Sequence, residues 1–533
     1  MSEGTMEKRQ EEYVSRDICG ETVTCEAAGE YTLPDYQPEI RRLLHVRAAV
    51  LPAGKYMGGA KAEFAGAVAH TVLYADGEGK LASVTLDSDY EFSVPLPEGD
   101  GYTAMADTAV ESTVCRLSGP RKLSLRTRLS NLVHVMNEES ITPEIRGMGS
   151  DTDEASIERL TMQSESMTLA CGSSGEFSLS ATHKLDSPAA DARAVWAGGS
   201  VLVSECRAQA GGCLCRGEVW VRALLAEGEG TPVVRRERIP FERFVEIAGV
   251  KESASYTAHG CLLMADVTIH PGEGEEMGTL GFDVSVEIEA CASDSRPCNP
   301  TRELYSTAYD MNCRYRTLTV ARPMGATMGH YSVGGSRLRA ECEAENATAI
   351  VDTDGRLEIG GVTVEHGKAT VSGKLYTQVI FVAAGEGKDG APALASCEVV
   401  VPFRIETELR PPHGAKPRFD CRGELIAARA HIEPNAIGVD AEIALCLRAY
   451  ENEEIRVLES AEPDRSVTVD HTGNRIYVLY PKEGDTLFGV AARYHKSRAA
   501  IAAQNDLAED ALANSHLTHS LDGIHHLLIT DEN

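Results

Sequence analysis

The 533-residue chain is short of aromatic side chains: they make up 5% of it, although 43% of its residues are hydrophobic. Its cores must therefore be built mostly from Val, Leu, Ile and Ala. Basic residues are scarce as well. Fifty-one Lys and Arg stand against 81 Asp and Glu, a formal net charge of −30. Nucleic acid and anionic lipid both attract basic patches, so neither is an expected partner. No stretch approaches the roughly 20 apolar residues of a membrane span. The opening "MSEGTMEKRQEEYVSRDICGE" lacks the apolar core of a signal peptide, so a cytoplasmic protein is expected. Catalytic signatures are missing too. "GGSVLVSEC" does not have G-x-S-x-G spacing, and no G-x-x-x-x-G-K-[ST] loop occurs. The expectation is a protein that is not an enzyme and uses no cofactor.

Cysteine is not scarce, and the count of 15 is odd. Many cysteines sit inside apolar alternation, as Cys446 does in "EIALCLRAY", which predicts reduced thiols. Cys206, Cys213 and Cys215 cluster in "CRAQAGGCLCRG". Structural zinc sites favour C-x2-C pairs and four ligands. Here the pair is C-x-C on a predicted strand, so ordinary strand cysteines and no metal are expected. His525 and His526 fall on alternate faces of a short strand and cannot easily chelate one ion; one is expected packed and one wet.

What the chain does have is repetition. A glycine recurs in a strand-like run: Gly66 in "AEFAGAVAHTVLYADGEGK", Gly217 in "CLCRGEVWVRALLAEGEG" and Gly373 in "ATVSGKLYTQVIFVAAGEGK". An apolar-Pro-apolar element follows each: Val94-Pro95-Leu96, Ile239-Pro240-Phe241 and Val401-Pro402-Phe403. Proline lacks a ladder donor, so it belongs at a strand start, an edge or a bulge. A closing strand then alternates, most clearly at Phe282, Val284, Val286 and Ile288 and at Val439, Ala441, Ile443, Leu445 and Leu447. Period-two alternation buries one face and wets the other, as antiparallel sheets do. The reading is a mainly β protein with three antiparallel β domains, of sandwich or open-barrel type, in series. Their expected bounds are 23–137, 189–291 and 340–452. Residues 1–22 are an N-terminal tail; 138–188, 292–339 and 453–474 are linkers, the last including the charged run "YENEEIRVLESAEPDR".

The pattern changes at 475–530. "RIYVLY" predicts a strand, Gly484 a turn, and Asp485 an N-cap. Leu487, Val490, Ala491 and Tyr494 fall on one helical face. Ser497 caps a second helix that ends near Asn505, and "IHHLLIT" predicts a final strand. This small α+β order, strand-helix-helix-strand, resembles a LysM domain, carried by Gly484-Asp485-Thr486-Leu487, Ala491-Ala492, Tyr494 and Gln504-Asn505. The usual proline-bearing close of that family is replaced by "LDGIHHLLIT". The resemblance implies a groove bordered by two loops: Gly484, Asp485, Thr486, Leu487 and Phe488 on one side, and Asn505, Asp506 and Leu507 through Asp522, Gly523 and Ile524 on the other. Phe488 is expected at the margin of the helical core, as a partly exposed contact.

Together the β repeats and the terminal module are similar to the SipL family of spore-envelope assembly proteins, whose β repeats are called SPOCS domains. That resemblance implies a scaffold at the forespore surface, in the mother-cell cytoplasm, whose LysM domain recruits the spore-coat morphogenetic ATPase. Two alternatives remain: a cell-wall protein that binds peptidoglycan or N-acetylglucosamine oligomers, and an adaptor of a phage-like particle.

Overall fold

The computed structural model describes residues 12–97, 101–148, 155–189, 191–228, 231–273, 276–387, 390–469, 475–507 and 520–530. The chain is mainly β, with two short helices near the C-terminal end of this region. Its long ladders are antiparallel. Among the described residues no helix is long and apolar enough to cross a membrane.

Sheets recur in pairs. In the first pair, β1 (Tyr13–Thr32) and β6 (Thr103–Gly119) flank β7 (Lys122–Ser140). The companion sheet holds β2 (Arg42–Val50), β3 (Gly54–Gly58), β4 (Lys61–Ala75) and β5 (Leu81–Pro95), with β4 in the middle. In the second pair, β10 (Ser164–Ser173), β11 (Phe177–Lys184) and β15 (Ser255–His270) all pair with β16 (Thr279–Cys298). Its companion is β12 (Ala192–Gln209), β13 (Gly212–Glu227) and β14 (Val233–Glu246), with β13 central. In the third, β18 (Tyr309–Leu338) and β22 (Arg418–Ile432) flank β23 (Ala436–Thr468), which also pairs in parallel with the short β8 (Glu144–Ile145). Its companion is β19 (Ala347–Glu365), β20 (Lys368–Ala383) and β21 (Ala393–Glu406), with β20 central. Each time the leading strand pairs with the closing strand, and the penultimate strand lies on the closing strand's other side. The alternation of the closing strands is used as expected: Val284, Val286, Ile443 and Leu445 are buried.

Stretches expected as tail or linkers supply strands. β1 begins inside 1–22, β10 and β11 lie inside 138–188, and β18 lies inside 292–339. The run expected as a solvated linker continues β23, with Ile455, Val457, Leu458 and Ala461 buried. Its carboxylates occupy the wet face and mask the period. Edge strands hide in the same way, because one neighbour and one core leave half their residues free to be polar.

The three repeat glycines lie on the central strands β4, β13 and β20. Each faces an aromatic residue across the ladder: Gly66 opposite Tyr90, Gly217 opposite Phe241 and Gly373 opposite Phe403. Pro240 and Pro402 sit on the outer strands β14 and β21, where a missing donor costs no ladder bond. The first copy is out of step: Pro95 pairs with Lys61, and Tyr90 rather than Leu96 covers the glycine. That corrects the equivalence of Val94-Pro95-Leu96 with the other two elements.

The sheet pairs converge. Leu44, Leu73 and Leu81 of the first, Leu224 of the second and Val351, Ile380 and Leu394 of the third form one buried cluster. The remaining elements form a separate corner. β9 (Ile157–Thr161) pairs with β17 (Thr301–Ser306). β24 (Ile476–Leu479) pairs with β25 (Leu527–Thr530), and α1 (Leu487–Tyr494) and α2 (Arg498–Gln504) lie between them in sequence.

Candidate functional site

The turn before α1 is built locally. Gly484 takes φ +87, a conformation that suits glycine. Thr486, not Asp485, is the N-cap: its Oγ1 accepts from the Gly489 N–H at 3.0 Å. Asp485 closes the preceding turn, accepting from the Lys482 N–H at 2.9 Å, and lies 3.7 Å from Arg493. The helix starts one residue later than expected because Thr486 is extended and its hydroxyl reaches the free N–H of the first turn. Ser497 caps α2 as expected, accepting from Ala500 at 3.1 Å.

The two loops meet. The Leu521 N–H donates to the Asp485 carbonyl at 3.0 Å, and Thr486 bridges Ser520. Gly523 (φ +88) turns the chain beside Asp522, whose N–H donates to the Ser520 hydroxyl. Leu487 is buried, and Leu507 and Ile524 pack against the same core. Asn505 is fully engaged: its Nδ2 donates to the Ile501 and Leu528 carbonyls at 2.8 and 2.7 Å, and its Oδ1 accepts from the Leu528 N–H. It ties the end of α2 to β25 and so has a structural task. Asp506 takes a left-handed φ of +50 and is exposed. Gly484, Asp506, Asp522 and Gly523 are the solvent-facing members of the expected set. The stretch 508–519 of the second loop lies outside the described residues.

Phe488 is not at a margin. It is 3% exposed, with its ring edge-on to Tyr305 of β17 at 5.1 Å between centroids. The helix face that would be open in a free-standing module is covered by β9 and β17. Leu160 joins the core, Arg498 pairs with Glu158 at 2.7 Å, and His495 Nδ1 lies 2.9 Å from the Ser306 carbonyl oxygen. The Tyr305 hydroxyl donates to the Lys496 carbonyl. His525 and His526 are both exposed, because Leu527 and Ile529 supply the inward positions of the last strand.

A second site was not foreseen. Where the sheet pairs meet lies a cavity of about 1070 Å³. Ion pairs lie in its wall and beside it: His45, Arg47, Asp107, His259, Glu289 and Arg422 line it. Arg222 lies 2.8 Å from Asp352 and 3.0 Å from Asp354, and His45 and Arg47 approach Asp354 at 3.4 and 3.8 Å. Burial opposes charge on Asp354, yet Arg222 and Arg47 hold it below the ordinary carboxylate range. Arg422 pairs with Asp107 and lies 3.0 Å from His259 Nε2, which is 3.0 Å from Glu289. Apart from His259 and Glu289, which face each other across the β15–β16 ladder, these partners stand 130 or more residues apart, as Arg222 and Asp352 do, so no local signal could reveal them. Opposite charges neutralise one another here, and the arrangement fastens the sheet pairs together.

The cysteines also differ from expectation. Cys171 and Cys291 stand directly opposite across the β10–β16 ladder and form a disulfide, while twelve others are free thiols. Among His, Cys, Asp and Glu of the described residues, Cys206, Cys213 and Cys215 gather with their sulfurs within 4.8 Å of one another.

The chain matches no family model, no curated protein and no solved structure.

Proposed function

We propose that the chain is a non-enzymatic scaffold of spore-envelope assembly of the SipL-like kind. Three SPOCS-like β domains, each lengthened by its leading strand, carry a LysM domain at 475–530 that recruits the coat ATPase at the forespore surface. One observation carries the reading: a single sheet order recurs three times and is followed by a strand-helix-helix-strand segment. The quoted motifs of that segment support the same assignment. Interlocked sheet pairs suit a platform that displays a recruiting module in fixed orientation. Docking of α1 and α2 on β9 and β17 fixes that orientation and leaves Gly484, Asp506 and Asp522 exposed as the recognition edge. Two exposed carboxylates there, Asp506 and Asp522, favour a basic contact on the partner.

The test is capture of the purified coat ATPase by the full chain, compared with the double variant Asp506→Lys, Asp522→Lys. The expected result is loss of capture with unchanged thermal melting. Undiminished capture by the variant would move the contact off this edge. Sedimentation with peptidoglycan and no capture of the ATPase would overturn the scaffold reading in favour of wall binding.

A further inference from the structure

Cys213 and Cys215 are two residues apart on β13, so both side chains point to one face of the sheet, and both are fully buried there. The register adds a third thiol from β12: Cys206 stands directly opposite Cys215. The Cys206 and Cys215 sulfurs are 3.3 Å apart, and those of Cys213 and Cys215 are 3.7 Å apart. Metal–sulfur bonds of about 2.3 Å in a planar three-sulfur site place the sulfurs about 4.0 Å from one another. The observed spacing is close to that without any backbone movement.

We propose that Cys206, Cys213 and Cys215 form a three-sulfur site for a soft monovalent cation, copper(I). Several observations favour this over zinc and over passive packing. The group contains no fourth Cys, His, Asp or Glu among the described residues, whereas zinc prefers four ligands. Thiolate sulfur selects soft cations. Cys206 is partly exposed, which gives an entry path, while the other two sit in the apolar core of the second sheet pair. On β14, opposite Cys215 in the ladder, stands Arg243, its guanidinium 4.9 Å over the Phe177 ring.

Binding exchanges protons for metal. Each thiol that becomes a thiolate ligand releases one proton to solvent, and no electron moves, because copper arrives as copper(I). The proposal does not depend on the scaffold reading above.

The experiment uses the full chain, reduced and held without oxygen, competing for copper(I) against a coloured chelator. The first equivalent of copper should leave the chelator. Cys206→Ser, Cys213→Ser and Cys215→Ser should each weaken that equivalent at least tenfold, while Cys298→Ser, at a buried thiol outside the trio, leaves it unchanged. Cys206→Ser is the variant of choice, since its partly exposed position tolerates a hydroxyl. X-ray absorption of the unmodified chain loaded with one equivalent needs no variant and should show three sulfur neighbours. Equal copper affinity in all three variants, or nitrogen and oxygen neighbours in the absorption spectrum, would overturn the site. So would a chain that, fully reduced, takes up no copper.

Discussion

Phe403 lies across the β20–β21 ladder from Gly373, so close that a Cβ on Gly373 would come within 2.6 Å of the ring and 2.3 Å of the Glu358 carbonyl oxygen. Phe241 covers Gly217 in the same manner, where a Cβ would meet the Leu202 carbonyl oxygen at 1.9 Å. The glycine is thus required by the aromatic residue and the neighbouring strand. Gly217→Ala and Gly373→Ala should each destabilise the chain by about 1–3 kcal/mol through overpacking. Gly66→Ala should cost less, because its close contacts are with the Tyr90 ring and hydroxyl alone, at 2.7 Å and beyond, and no backbone oxygen lies as near as at Gly217 and Gly373. Denaturant unfolding ranks the three; an equal or larger loss at Gly66 would contradict the account.

How much of this was legible follows from the range of each signal. The alternation around Val284 and Ile443 marked the closing strands, since period two survives wherever one face is buried. The sequence of β18 has the look of a linker because what makes it a strand is distant: Tyr309 pairs with Thr468. At the C-terminus, Gly484 and Ser497 were readable, since a turn and a cap are settled within a few residues. The burial of Phe488 was not, because Tyr305 lies far upstream in the chain. The third thiol beside Cys213 and Cys215 depended on the β12–β13 register, which spacing alone does not specify.

Phe488→Ala should open the contact between α1 and β17. Removing a buried phenylalanine costs about 3–5 kcal/mol, more than a small corner can spare. The segment 475–530 should become protease-sensitive while the three sheet pairs stay intact. Tyr305→Ala, on the other side of the contact, should expose the same segment. Limited proteolysis with mass mapping reads both; resistance in either variant would mean that the module holds together without the dock.

Arg222 sits with two carboxylates, Asp352 and Asp354, between β13 and β19. Burial works against its charge, and the two acids raise its pKa regardless. Arg222→Ala would leave buried carboxylates without their cation, at a cost of about 3–5 kcal/mol. Hydrogen exchange should then rise in β2, β13 and β19 together, since His45 and Arg47 share Asp354. Exchange confined to β13 would show that the node does not couple the sheet pairs.

His134 gives a pH test. It is 2% exposed on β7, with Nδ1 against Asp17 of β1 and Nε2 3.0 Å from Asp420 of β22, and Arg448 lies 3.6 Å from Asp420. Burial disfavours its charged form, but the two carboxylates outweigh that and raise its pKa from 6.5 to about 9. A group raised on folding contributes its full stabilisation below the unfolded pKa and loses it as pH climbs through the folded one. The window is therefore about pH 6.5 to 9, and the amount at stake is about 3 kcal/mol at 1.36 kcal/mol per unit. The unmodified chain should be more stable than His134→Gln at pH 6, and the gap should narrow steadily toward pH 9.5. Denaturant midpoints of both chains across that range measure it. A gap independent of pH would mean that His134 is held neutral and that Asp17 and Asp420 are satisfied by other groups.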